Sequence, residues 1–101
     1  MGDVSVVINT FNEEENLPRA LSSIKSFADE IVVVDMKSDD NTKEIAEKEG
    51  ARVYEHKKMG YVEPARNYAI KKAKNDWILI LDADEEIPKS LIKELKKIVK
   101  N

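Results

Sequence analysis

The chain contains no cysteine, so disulfides, thiolate metal sites and a cysteine nucleophile are all excluded. That absence fits a reducing cytoplasm. Glycine and proline number three each, and no internal repeat, low-complexity segment or flexible linker interrupts the chain. Neither a G-x-G-x-x-G fingerprint nor a P-loop is present, which counts against a dinucleotide fold and a phosphate-cradling NTPase. His56 is the only histidine, beside Lys57 and Lys58, and it forms no arrangement with serine and aspartate that would make a hydrolytic triad. No segment approaches the roughly 18 apolar residues of a membrane span, and no signal-peptide pattern opens the chain. The expected setting is therefore cytoplasmic. A net charge of −3 is too small to argue for a nucleic-acid partner.

What is present is a composition suited to folding. Of 101 residues, 42% are apolar and 37% charged, enough for one domain with a core and too apolar for a disordered chain. Short apolar runs, Val4–Asn9, Glu30–Asp35, Ala51–Glu55 and Trp77–Leu81, read as strands. Their continuous hydrophobicity predicts burial on both faces, as in a parallel sheet. Between them, Leu17, Ala20, Leu21, Ile24, Phe27 and Ala28 recur at helical spacing. Asn12 with Glu15 forms a candidate capping box for that helix, and Asn41 with Glu44 forms one for a second helix that stops at Gly50. Val62, Ala65, Ala69, Ile70 and Ala73 mark a third helix with Pro64 in its first turn. Leu91, Ile92, Leu95, Ile98 and Val99 mark a fourth.

The order βαβαβαβα predicts an α/β fold: a Rossmann-like open parallel sheet of about four strands with helices on both faces. Ligands of such sheets bind beyond the carboxyl ends of the strands, where strand order reverses. The polar clusters "NTFNEEEN", "DMKSDDNT" and "DADEE" each follow a strand and should converge on that edge.

Asp82, Asp84, Glu85 and Glu86 crowd like charge at the end of an apolar strand, which is costly without a cation or solvent to offset it. In extended backbone Asp82 and Asp84 would face one side and share a hard divalent ion such as Mg²⁺ or Mn²⁺. The alternative is a solvated turn with acids at a helix N-terminus. Asp35 could accept from a ribose or base, while Ser38, Asp39 and Asp40 read equally as turn and N-cap residues. The amides following the first strand offer a place for phosphate, opposed by the charges of Glu13, Glu14 and Glu15. Arg66 suits bidentate phosphate binding, or an ion pair with Glu63 or a strand-end acid.

In order and spacing, "SVVINTFNEEENLPRALSSI", "EIVVVDMKSDDNTKEIA" and "GYVEPARNYAIKKAKNDWILILDADEEI" resemble the N-terminal half of family 2 glycosyltransferases with the GT-A fold. "DADE" and "ARN" are most similar to the lipopolysaccharide-core glucosyltransferase-like branch. The resemblance implies donor and metal binding in an inverting transfer of sugar from a nucleotide-diphosphate sugar to an acceptor hydroxyl. A UDP-sugar is expected ahead of a GDP-sugar. It implies nucleotide contacts at Thr10, Phe11 and Glu14, base or ribose contacts at Asp35 and Ser38, and a diphosphate contact at Arg66. Asp82 and Ala83 would approach the sugar nucleotide, and Asp82 and Asp84 would hold Mg²⁺ or Mn²⁺.

Asn9 stands where the family commonly has proline, and Met36 where many members carry a second aspartate that reads uracil. Family members continue for roughly another domain beyond the D-x-D helix. Residues 1–101 are therefore expected to be a single nucleotide-sugar-binding domain, truncated relative to a full enzyme. The acceptor site and catalytic base would lie elsewhere, and no catalytic residue is identified. The parent would work in the cytoplasm, peripherally at a membrane face. Apolar surface normally covered by the missing half would promote self-association. The alternatives are a non-catalytic metal- and nucleotide-binding module and a purely structural Rossmann-like fragment.

Overall fold

The computed structural model describes residues 3–57 and 63–100, with side chains described throughout except at 63–66 and 100. Strands β1 (Val4–Thr10), β2 (Glu30–Asp35), β3 (Arg52–Glu55) and β4 (Trp77–Asp82) alternate with helices α1 (Leu17–Ile24), α2 (Thr42–Lys48), α3 (Glu63–Lys72) and α4 (Lys89–Lys100). The strands are parallel and form one sheet in the order β3-β2-β1-β4. The chain thus steps outward from β1 to β3 and then returns across the sheet to β4.

With right-handed crossovers, that reversal puts α3 on the face opposite α1 and α2. Residues of β1 divide accordingly. Val4, Val6 and Ile8 pack with Leu17, Leu21 and Ile24 of α1, Ala46 of α2 and Ile92 of α4. Val7 joins Val32, Val34 and Ala69 of α3 on the other face. Both faces of β1 and β2 are therefore buried, as their unbroken apolar runs predict.

The prediction is corrected at β4. Ile78 and Ile80 lie in register with Ser5 and Val7 on the α3 face. They remain 37% and 42% exposed, because α3 packs over β1 and β2 instead. The stripe assigned to α4 is likewise only partly used. Ile92 is buried, while Leu91 and Ile98 are exposed.

Neither capping box forms. α1 begins at Leu17 behind Asn16, with no side-chain cap, and Asn41 caps α2 with no side-chain hydrogen bond. Asp40, one residue earlier, takes that role by accepting the Thr42 N–H at 3.0 Å. The stop at Gly50 is as expected. Its φ of 89° lets the Gly50 and Ala51 amides turn back to the Glu47 and Ala46 carbonyls at 3.1 Å each, closing a Schellman motif.

Candidate functional site

Because strand order reverses between β1 and β4, the crevice at their carboxyl ends is the topological switch point. Three segments meet around it: the β1–α1 loop, the β2–α2 loop and the turn after β4. The first two are laced together.

Asp35 ends β2 fully buried, and its carboxylate is occupied on both oxygens. Oδ1 accepts from the Thr10 hydroxyl at 2.7 Å and the Ser38 hydroxyl at 2.6 Å, and Oδ2 accepts the Ser38 N–H at 2.8 Å. Lys37, at φ 58°, lies in the left-handed region between them. Ser38 Oγ in turn accepts the Asn12 N–H at 2.8 Å, and Asn12 Oδ1 accepts the Asp39 N–H at 2.7 Å. Asn12 adopts φ 53°, a conformation asparagine tolerates.

Further along, the Glu13 N–H donates to Thr42 Oγ1 at 2.9 Å and the Glu14 N–H to Asp40 Oδ2 at 3.3 Å. Glu14 Oε1 accepts the Asn41 N–H at 3.4 Å. The amides of residues 12–14, which the sequence offered for phosphate, are thus taken by side chains of the neighbouring loop. Burial raises the Asp40 pKa, but hydrogen bonds from the Thr42 hydroxyl, the Thr42 N–H and the Glu14 N–H outweigh it. They hold the carboxyl below its ordinary range. Thr10, Asp35 and Ser38 are thereby tied into a hydrogen-bonded two-loop platform, with Phe11 half-buried against the α3-side core.

The acidic segment departs from the extended geometry expected of it. β4 ends at Asp82, and Ala83 and Asp84 turn. The Glu85 N–H donates to the Asp82 carbonyl at 3.0 Å, while Glu85 Oε1 accepts the Asp82 N–H at 3.1 Å. Alternation along a strand therefore cannot aim Asp82 and Asp84 at one point, because the turn sets their directions. Both are exposed, whereas the Ala83 side chain packs into the core beside Ile87. Glu86 lies 3.8 Å from Arg19.

Arg66 is carried by the first turns of α3, and its side chain lies outside the described residues, as do Tyr61 and Val62 altogether. Among the described residues no three carboxylate or histidine side chains cluster to hold a metal. Asp82 and Asp84 still suit a hard cation that keeps coordination positions for water and phosphate oxygen, since such sites need only one or two carboxylates.

Sequence reasoning missed Asn12 and Thr42 as cross-loop partners. The available signal was topological: loops following two adjacent parallel strands emerge side by side, so their polar residues can satisfy one another's amides. Sequence reasoning placed Asn9 at the end of the first strand, where the family commonly has proline, and assigned it no contact. In the fold this residue lies at the switch point, in register with Val34 of β2 and Asp82 of β4.

A curated relative from Rickettsia bellii (strain RML369-C), an uncharacterized glycosyltransferase, is 45% identical over 95 residues, covering 94% of this chain and 32% of the relative. The structure of S. aureus TarS 1–349 in complex with UDP superposes with a TM-score of 0.84 at 29% identity, covering 97% of this chain and 32% of that one. Glucosyl-3-phosphoglycerate synthase from Mycobacterium tuberculosis, in complex with Mn²⁺, UDP and glucosyl-3-phosphoglycerate, gives a TM-score of 0.72 at 25% identity. That match covers 84% of this chain and 36% of the synthase. The chain thus spans about a third of the length of such curated Rickettsia relatives. No helix among the described residues is long and apolar enough to cross a membrane. The family model for glycosyl transferase family 2 matches residues 5–101, and the chain belongs to that family.

Proposed function

We propose that these residues form the donor-binding part of an inverting glycosyltransferase and hold a nucleotide-diphosphate sugar, with UDP preferred over GDP, in the crevice between β1 and β4. The observation that carries this reading is the meeting, at the switch point, of a hydrogen-bonded two-loop platform and the exposed Asp82–Asp84 turn. The UDP complexes of the two structural relatives support the choice of nucleotide.

Asp82 and Asp84 are the residues that would hold Mg²⁺ or Mn²⁺. When bound there, the ion supplies Lewis-acid stabilisation of negative charge on the departing nucleoside diphosphate. Thr10, Asp35 and Ser38 act from beneath, fixing the loop that carries Phe11 and Glu14 towards the nucleotide. Arg66, on α3, is assigned to the diphosphate. The Ala83 backbone is left to approach the sugar, since its side chain is buried. Glu85 and Glu86 already make local contacts, so neither is assigned the removal of the acceptor proton.

The test is an NMR titration of the labelled chain with UDP and with GDP, each with Mg²⁺ and again with chelator. Saturable, metal-dependent shifts at residues 10–14, 66 and 82–84 are expected, stronger with UDP. Asp84→Asn should abolish the metal dependence. No shift at millimolar nucleotide would overturn the reading.

A further inference from the structure

Lys72 of α3 is half-buried, and no carboxylate pairs with it among the described residues. Its Nζ lies 5.1 Å from the centre of the Tyr54 ring and 5.3 Å from that of Tyr68. The two rings meet edge to face at 6.2 Å, and His56 packs on Tyr68 at 5.3 Å. Arg52 stacks over Tyr54 and donates to its hydroxyl. In a chain with 20 acidic residues, a partly desolvated ammonium held by rings alone calls for an explanation, because burying charge is costly unless it is paired.

Topology accounts for how the cluster forms. Alternation along β3 puts Arg52 and Tyr54 on the α3 face, whereas Val53 packs into the opposite core. Tyr68 and Lys72 stand one helical turn apart on α3, so both reach the same strand. The nearby acids are already engaged. Glu30 pairs with Arg52, and Glu55, on the other face, pairs with Lys43 at 3.0 Å. Lys57 and Lys71 adjoin the cluster in sequence and are exposed, and neither side chain makes an ion pair among the described residues. β3 is the edge of the sheet opposite β4, so this face is separate from the β1–β4 crevice.

If holding α3 on β3 were its whole part, an aliphatic side chain would serve without the cost of desolvating an ammonium. The rings attract the ammonium through their quadrupoles. They carry no net charge, so its own charge stays uncompensated. They also order a side chain that would otherwise lose rotamer freedom on binding, which lowers the cost of receiving a ligand. The Tyr54 hydroxyl keeps its own O–H to donate, and the Tyr68 hydroxyl has no hydrogen-bond partner among the described residues. Hydroxyls beside an ordered cation suit a ligand that joins sugar hydroxyls to an anionic group. Membership of a glycosyl transferase family makes saccharides the class at hand. We propose that Lys72, Tyr54 and Tyr68 form a docking surface at the β3 edge for the anionic group of a saccharide, such as a sugar phosphate.

The test is an NMR titration of the labelled chain with glucose 6-phosphate, without divalent cation. Saturable shifts at Tyr54, Tyr68 and Lys72 are expected, with none from glucose or from sodium chloride at matched ionic strength. Lys72→Met keeps the stem and removes the charge, so it should weaken binding about tenfold. Lys72→Arg, which restores the charge, should recover most of that loss. Tyr68→Phe keeps the ring and should weaken binding about threefold.

Unchanged affinity in Lys72→Met overturns the proposal, as do equal shifts with sodium chloride. So does the absence of saturable shifts at millimolar glucose 6-phosphate. Shifts confined to residues 10–14 and 82–84 would put the sugar phosphate in the donor crevice and leave this surface without a ligand. Inorganic phosphate that binds as tightly as glucose 6-phosphate would overturn the saccharide assignment.

Discussion

At the scale of single residues, Thr42 shows how a buried hydroxyl joins two loops. Its Oγ1 accepts the Glu13 N–H of the neighbouring loop and donates to Asp40 on its own loop. The residue is fully buried, so water does not reach its hydroxyl. Thr42→Val keeps the shape and removes both bonds, leaving an amide and a carboxylate oxygen short of a partner. The change should destabilise the fold by about 1–3 kcal/mol, measured by urea denaturation. A loss of only a few tenths would mean that the platform relaxes freely and is not rigid. Asp35 belongs to the same network. The sequence marked it as a ligand-facing acid because it ends a strand, yet its hydrogen bonds to Thr10 and Ser38 turn it inward. A side chain's direction at a strand end depends on which neighbour supplies donors, and the neighbour here is distant in sequence.

At the scale of elements, Glu30 fastens the other end of the sheet. From the first position of β2 it accepts from Ser5 Oγ of β1 at 2.7 Å, from the Lys74 N–H ahead of β4 at 2.9 Å, and from Arg52 of β3. Burial pushes the Glu30 pKa up, but these hydrogen bonds and the Arg52 charge outweigh it, so the net shift is downward. A carboxyl lowered in the folded state stabilises above its unfolded pKa of about 4.3, and that contribution is lost as pH falls through the lower folded value. Glu30→Gln should therefore cost about 1–3 kcal/mol near neutrality, with the gap closing as pH falls below about 4. An equal gap at pH 7 and pH 3 in urea unfolding would show that Glu30 acts by packing alone. Element order and the strands were legible in the sequence because apolar runs of β1 and β2 and the stripe of α1 are intrinsic patterns. The loop lacing and the failed capping boxes were not. They depend on residues 26 and 29 apart meeting at one sheet edge, and local capping rules do not see that competition. The bare face of β4 was also hidden, since burial there is decided by where α3 lies and not by the run Trp77–Leu81 itself.

At the scale of the whole molecule, β4 is the outermost strand on its side of the sheet. One face of it shows Ile78 and Ile80. An open edge beside exposed branched residues is a template for another strand. Copies of this chain are therefore expected to associate through β4. Two-fold antiparallel pairing about Leu79 would set Asp76 of one copy against Asp82 of the other, three residues to either side, and like charges directly opposite oppose pairing. The net charge of −3 adds to that repulsion. Association should accordingly strengthen with salt, as the Debye length falls from about 10 Å at 0.1 M to about 3 Å at 1 M. Sedimentation equilibrium at rising concentration and both salt levels measures this. Ile78→Lys with Ile80→Lys should remain monomeric where the parent associates, because lysine on an edge strand blocks pairing. Association that weakens with salt would point to ion pairs elsewhere on the surface. A parent that stays monomeric at millimolar concentration in 1 M salt would mean that the two aspartates and the twist of β4 suffice to protect the edge.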